Sequence, residues 1–164
     1  MKLLLHTCCA PCLIHPLEKL REKGFKVTGL FYNPNVHPYA EYEKRRKAVE
    51  DYSKGVRLDV IYPEYVPSQY FQEVNLKEKN PERCSLCWTF RLKATAKTAK
   101  DKGFGSFSTT LLVSPYQDQE LLEKIGSDIA KEEGINFYYE DFRPGFKEAH
   151  DLAKKQGIYC QKYC

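Results

Sequence analysis

The sequence predicts an α/β protein: a single domain whose parallel five-stranded sheet carries helices on both faces. Two observations predict it. Short apolar segments alternate with longer helical patterns along all 164 residues, and strands separated by helices form parallel sheets through right-handed crossovers. Polar residues also cluster just after the apolar segments, where open α/β sheets place their ligands. No linker, internal repeat or low-complexity stretch divides the chain. Residues 1–164 therefore read as one unit with a tail at about 157–164.

Each element has a local reason. Lys2 to Thr7 is an apolar run of strand length, ending on Thr7-Cys8-Cys9. Pro11 suits the first turn of a helix that runs to about Lys23 and stops at Gly24. Phe25 to Tyr32 is the second strand, broken by Asn33-Pro34-Asn35. Pro38 opens a charged helix through about Ser53. Val56 to Tyr62 alternates Val56, Leu58 and Val60 and reads as the third strand. Pro67 starts a helix to about Leu76, and a long helical pattern covers Arg83 to Lys102. Ser106 to Thr110 is the fourth strand. Asp118 to Gly134 is an amphipathic helix with Leu121, Leu122, Ile125 and Ile129 on one face. Ile135 to Tyr139 is the fifth strand, and Phe146 to Gln156 the last helix.

Composition excludes several classes. With 42% hydrophobic and 29% charged residues the chain is globular, not disordered. No apolar run approaches the roughly 18–20 residues that cross a bilayer, and Leu3 to Leu5 is too short for a signal-peptide core. A cytoplasmic protein with no membrane partner is expected. The excess of 26 Lys and Arg over 22 Asp and Glu suits an ordinary enzyme. It points only weakly to a polyanionic partner.

The seven cysteines, against one Met and one Trp, carry the chemistry. An odd number cannot pair completely, and disulfides are rare in a reducing cytosol. They form three groups: Cys8-Cys9-x-x-Cys12, Cys84-x-x-Cys87 and Cys160-x-x-x-Cys164. Two thiolates one helical turn apart grip one metal ion or a cluster edge. One tetrahedral site or one four-iron cluster takes about four thiolates, which leaves three for a second, partly open site. Adjacent Cys8 and Cys9 would face opposite ways on a continuing strand, so one could serve each centre. A four-cysteine zinc staple and a thiol–disulfide C-x-x-C remain open on spacing alone.

Other residues divide between packing and function. His6, inside the first strand, reads as a core histidine. His37 follows Asn33-Pro34-Asn35 in a loop and is a better site candidate. Arg83 and Arg91 bracket the C-x-x-C helix. Trp88 reads first as core packing. Ser108, Thr109 and Thr110 close a strand and are a weak phosphate or ribose signal. Asp118 is first a helix N-cap, and second a carboxylate ligand or proton donor.

Together the motifs resemble the QueH-type epoxyqueuosine reductases. The matching stretches are LLLHTCCAPC (Leu3–Cys12), FYNPNVHPYAEYEKR (Phe31–Arg45), RCSLCWTFRL (Arg83–Leu92), FSTTLLVSPYQD (Phe107–Asp118) and QKYC (Gln161–Cys164). The resemblance implies reduction of epoxyqueuosine to queuosine at the wobble position of tRNA, the last step of queuosine biosynthesis, without cobalamin. It implies a Rossmann-like fold similar to the adenine-nucleotide alpha-hydrolase (HUP) type. It implies a [4Fe-4S] cluster and an adjacent metal, iron, that activates the epoxide oxygen. Cys8, Cys9, Cys12, Cys84, Cys87 and Cys164 fall on family cysteine positions, and Asp118 on an acidic one; Cys160 matches less clearly. The family's terminal motif usually continues with Gly-Cys, and here the sequence stops at Cys164.

On this reading Cys8, Cys9, Cys12, Cys84, Cys87, Cys164 and Asp118 are the metal ligands, and Asp118 and Cys9 are catalytic. Tyr32, Asn33, His37, Tyr39, Arg45, Arg91, Thr109 and Thr110 contact the modified nucleoside. Electrons come from an external low-potential donor, as no G-x-G-x-x-G dinucleotide fingerprint is present. Lysines and arginines of the second and fourth helices hold the tRNA backbone. Two alternatives stand beside it. An iron–sulfur tRNA sulfur-transferase needs a glycine-rich phosphate loop where Cys8-Cys9-Ala10-Pro11-Cys12 stands. A zinc-stapled RNA-binding module predicts colourless protein without redox activity.

Overall fold

The computed structural model describes residues 1–163. Strands β1 (Lys2–His6), β2 (Lys26–Leu30), β3 (Val60–Ile61), β4 (Ser106–Thr109) and β5 (Asn136–Phe137) form one sheet in the order β3-β2-β1-β4-β5. Every pairing is parallel. The helices are α1 (Ala10–Glu22), α2 (Tyr39–Gly55), α3 (Pro67–Val74), α4 (Glu82–Asp101), α5 (Gln119–Glu133) and α6 (Phe146–Lys155). Helix α1 packs on α2 and α6, while α4 packs on α3 and α5. Right-handed crossovers put these two groups on opposite faces of the sheet.

β1 lies at the centre, and its sequence explains why. Leu3, Leu4 and Leu5 are all fully buried, because a central parallel strand is covered on both faces and needs no polar alternation. Each such leucine contributes roughly 1.5–3 kcal/mol of burial. Phe107 of β4 and Leu13 and Leu92 of the covering helices complete this core. Gly126 lets α5 lie close on the sheet: a Cβ there would meet the Phe137 ring at 2.4 Å.

The predicted order and class of elements hold, with shifted ends. The third strand is two residues long, not seven. Helix α2 continues to Gly55, Val56 caps it, and Arg57 turns the chain with φ of 53°. The alternation of Val56 and Leu58 thus reflects a helix end and a core plug. The fifth strand starts late because the Ile135 N–H is used in closing α5, on the Ala130 carbonyl. Thr110 leaves the fourth strand and opens a 3-10 turn, Thr110–Val113, capped by the Thr109 hydroxyl. No described helix is long and apolar enough to cross a membrane.

From β1 the chain builds outward to β2 and β3, then returns to place β4 on the other side. The gap between β1 and β4 at their carboxyl ends is therefore the switch point, the standard ligand position of such sheets. Thr7 through Cys12 leave β1 at that place.

Candidate metal centre

Strand β1 ends at His6, and within four residues the chain becomes α1. Cys9 is the N-cap of that helix and Cys12 lies in its first turn, so the two sit on one face. Cys8 precedes them, with its N–H donating to Thr110 Oγ1 at 3.0 Å. The Sγ atoms of Cys8, Cys9 and Cys12 all lie within 4.8 Å of one another; those of Cys8 and Cys9 are 3.8 Å apart. Neighbours on a pleated strand would point apart, but the strand has already ended. The three sulfurs converge instead of dividing between two centres.

Their protons are shared unequally. The Cys8 thiol is held well below its ordinary value by hydrogen bonds from Cys12 and Cys9, and then from the Thr110 hydroxyl, against the effect of burial. Thr110 Oγ1 lies 3.2 Å from its sulfur. Burial pushes the Cys9 thiol up, and its bond to Cys8 pushes the Cys12 thiol up. The N-terminus of α1 favours negative charge here. Within the group the negative charge is favoured on Cys8 over Cys9 and Cys12.

His6 lies under this group and is fully buried. Its Nε2 is 3.1 Å from the Tyr32 carbonyl, which can only accept, so Nε2 carries the proton. Its Nδ1, 2.9 Å from Thr109 Oγ1, then accepts from that hydroxyl. Thr109 Oγ1 in turn accepts the Leu111 N–H. Burial, helped by the Arg91 charge, lowers the His6 pKa to about 4. His6 is thus a neutral core histidine, as its place in the strand suggested.

Two cavities adjoin at the switch point. One, of about 350 Å³, is lined by Cys8, Cys12, Asn33, Arg91 and Thr110 among others. The second, of about 340 Å³, is lined by His37, Cys84, Cys87, Trp88 and Arg91 among others. Asn35, Arg91, Gln117 and Tyr163 line both. Cys84 Sγ lies 2.7 Å from Asn80 Oδ1. Cys87 is buried beside Tyr70 and Val74, and burial followed by the nearby Cys87 pushes the Tyr70 phenol up to about 12. A larger groove of about 980 Å³, between α2 and residues 156–159, has no cysteine in its wall.

The donor set fits a thiophilic metal or cluster: two buried sulfurs and one half-buried sulfur within reach of one ion, and a C-x-x-C pair opening on an adjoining cavity. Arg91 supplies a matching positive charge. It is 4% exposed, and no carboxylate pairs with it among the described residues. Its Nη1 donates to Asn33 Oδ1 at 3.2 Å, while Asn33 is fixed by donating to the Thr7 carbonyl at 3.0 Å. Its Nε has no partner among the described residues. A buried cation without a counter-ion is costly unless an anion completes the site.

A family model described as "Epoxyqueuosine reductase QueH" matches residues 3–164. The chain belongs to this family. A relative of that name from Thermotoga maritima is 39% identical, with 98% of this chain and 86% of that protein covered. Another, from Dehalococcoides mccartyi, is 35% identical, with 99% and 89% covered. The name denotes an oxidoreductase. Among solved structures, a predicted subunit of tRNA methyltransferase from Methanocaldococcus jannaschii superposes with a TM-score of 0.60. It is 11% identical and covers 93% of this chain and 76% of its own; that likeness shows the fold alone.

The expected site residues divide between the two cavities, the layer beneath them and positions that line neither. Cys8, Cys12, Asn33, Arg45, Arg91 and Thr110 line the first cavity, and His37, Cys84, Cys87 and Arg91 the second. Cys9 lies beneath the lining, 1% exposed but within the sulfur trio. Tyr32, Tyr39, Thr109 and Asp118 line neither cavity. Tyr32 supplies its carbonyl to His6 and its ring to Phe90, 6.0 Å away. Tyr39 is exposed and stacks on Tyr42. Thr109 is buried and committed to His6 and Leu111. Asp118 is exposed and its carboxylate caps α5 by accepting the Leu121 N–H at 3.0 Å, the first of its two expected roles. Cys164 lies outside the described residues. Cys160 packs with Ile14, Ala149 and Ala153.

Sequence reasoning missed several lining residues, among them Asn35, Tyr116, Gln117, His150, Gln161 and Tyr163. The signal for Asn35 and Gln117 was their place in the loops just after β2 and before α5. The signal for Gln161 and Tyr163 was the QKYC stretch in which they stand.

Proposed function

We propose that this chain reduces epoxyqueuosine to queuosine at the wobble position of tRNA, with a [4Fe-4S] cluster and an adjacent iron. The observation that carries this reading is the Cys8–Cys9–Cys12 trio at the switch point of a chain in this family. Removing an epoxide oxygen as water, with formation of a C=C bond, takes two electrons and two protons. Cys8, Cys9 and Cys12 would hold one part of the centre, and Cys84, Cys87 and Cys164 the other. When bound, such a centre supplies electrons singly and a Lewis-acid position for the oxygen. The electrons come from an external low-potential donor.

The chain's own residues bind and orient the nucleoside. The Arg91 guanidinium and the Asn33 amide form a polar wall fixed from behind by Thr7. After Cys12 and Cys9, the Thr110 hydroxyl helps to hold the Cys8 thiol low. Tyr116, 84% exposed at the first cavity, offers a stacking face to an unpaired anticodon-loop base. Arg83 and Lys162 line the cavities and suit phosphates. Several lysines of the second and fourth helices are already paired, as in Lys47–Asp51 and Lys93–Glu132. Arg83 itself stands on α4, so backbone contact falls to the cavity end of that helix and to the tail.

The test is anaerobic purification, an absorbance spectrum and metal analysis, followed by assay of epoxyqueuosine-tRNA with a low-potential reductant. The expected protein is brown, absorbs broadly near roughly 400 nm and carries about four irons and sulfides plus a further metal. It forms queuosine. A colourless protein with about one zinc after reconstitution, and no queuosine, overturns the reading in favour of a zinc-stapled RNA-binding module. A thiolated tRNA product overturns it in favour of a sulfur-transferase.

A further inference from the structure

Beyond α6 the described residues have no regular structure, yet residues 161–163 form part of the wall of the cavity over the sulfur trio. A segment without helix or strand bonds must be held by its side chains and by partners for its carbonyls. The 980 Å³ groove opens between α2 and residues 156–159, and Ile158 packs on the cluster that contains Tyr42 and Val49 of α2. Ile158 and Cys160 give it an apolar footing on Ile14, Ala149 and Ala153, and its polar attachment is concentrated at two buried charged residues one helical turn apart, Glu41 and Arg45.

Four contacts converge there. The Tyr159 hydroxyl lies 2.7 Å from both carboxylate oxygens of Glu41. Arg45 Nε donates to Glu41 Oε1 at 3.0 Å. Arg45 Nη2 donates to the Tyr163 carbonyl at 2.9 Å. The Tyr163 ring covers the same guanidinium, 5.0 Å from its carbon. Glu41 is 9% and Arg45 3% exposed. The Tyr163 hydroxyl further donates to the His37 carbonyl at 3.3 Å, tying the tail to the loop before α2. Between these anchors the Gln161 side chain reaches Cys9.

We propose that Glu41 and Arg45 form a latch that holds residues 159–163 as the outer wall of the thiol cavity. Arg45 is then a positioning residue that acts through the tail, not a contact to the nucleoside. The helix presents the two charges already paired. Their remaining donor and acceptor capacity is directed at Tyr159 and Tyr163, so the tail completes the pair's hydrogen bonding as the pair fixes the tail. Loss of either partner leaves a buried charge and releases the segment. What the wall encloses rests on the functional reading above; the latch itself does not.

The test uses the metal-free full chain and four variants: Arg45→Met, Arg45→Lys, Glu41→Gln and Tyr159→Phe. Hydrogen exchange is followed at the amides of 159–163 and of β1, β2 and β4, together with the rate at which a thiol reagent labels Cys9 and Cys12. Arg45→Met and Glu41→Gln are expected to speed tail exchange and thiol labelling about tenfold or more, with sheet protection unchanged. Tyr159→Phe keeps its ring and loses one hydroxyl, so it gives a smaller increase. Arg45→Lys keeps the charge without the fork and restores the tail only in part. Unchanged tail exchange and labelling in Arg45→Met and Glu41→Gln overturn the proposal. If both lose sheet protection as well, Tyr159→Phe decides, and an unaltered tail there overturns it. A chain that makes no queuosine but loosens its tail in these variants sinks the functional reading and leaves the latch standing.

Discussion

The two cysteine groups facing the adjoining cavities are built in different ways. Cys8, Cys9 and Cys12 are assembled by backbone: the buried end of the central strand, the first turn of α1, and Thr110 at the start of the 3-10 turn after β4. Cys84 and Cys87 stand on the first two turns of α4, whose N-cap residue Pro81 offers no side-chain cap. Their place depends on how α4 packs against β1 and β4 and on the exposed segment before it, where Leu76 is 87% exposed. The trio is pre-organised at the switch point, while the pair is delivered to it by helix packing. A site made this way can hold its sulfurs close before anything binds.

The largest expected effect is on loading. Cys12→Ala should lower bound iron to roughly a tenth of wild type or less, with far-ultraviolet circular dichroism unchanged, because the sheet does not depend on the sulfur. Cys84→Ala should bleach the same centre. If Cys84→Ala retains wild-type iron and colour, the pair is no part of the centre and the comparison above breaks. If it unfolds the protein, the pair belongs to a structural staple.

The next effect bears on what both groups hang from. Leu4→Ala removes a fully buried side chain at the sheet centre and should cost about 2–5 kcal/mol in denaturant unfolding. Iron retention should then fall at both groups together. A variant that destabilises the sheet yet loses label protection only at Cys84 and Cys87 would show that the pair opens independently of the trio.

A smaller effect follows from charge. Burial raises the Glu41 carboxyl, but the Tyr159 and Arg45 hydrogen bonds outweigh it, helped by Lys44, and hold it below its ordinary 4.5. A carboxylate with a depressed folded value contributes stability above its unfolded value and loses it as pH falls through the folded one. The stability gap between wild type and Glu41→Gln should therefore be constant above about pH 5 and close below 4.5. A gap that persists unchanged at lower pH means that the ion pair contributes nothing to it.

The fold was legible because its signals are local. Leu3-Leu4-Leu5 announces a central strand, and Pro11, Pro67 and Asp118 mark helix starts that the structure keeps. Residues 56–62 misled because a helix end followed by one buried leucine mimics strand alternation. The trio was legible in part. Spacing marked the three cysteines, but Cys8 and Cys9 were expected to diverge, since where a strand stops is decided by tertiary pairing. The i, i+4 Glu41–Arg45 pair looks in sequence like any solvated helix pair. Only burial by Tyr159 and Tyr163, 118 residues from Glu41 and Arg45 respectively, distinguishes it, and no local pattern carries that.

Asp118 separates capping from chemistry at the edge of the same site, with the smallest expected effect on stability. Its carboxylate accepts the Leu121 N–H and lines neither cavity. Asn is as good an N-cap as Asp, while Ala is not. If capping is its whole role, Asp118→Ala should lose about 1 kcal/mol and Asp118→Asn almost none, and both should keep wild-type iron and turnover. If the side chain is instead a ligand or proton donor, Asp118→Asn loses metal or activity at unchanged stability. The cap geometry favours the first outcome. The asparagine variant therefore tests the acidic role directly, because it preserves the hydrogen bond to Leu121 and removes only the charge and the proton.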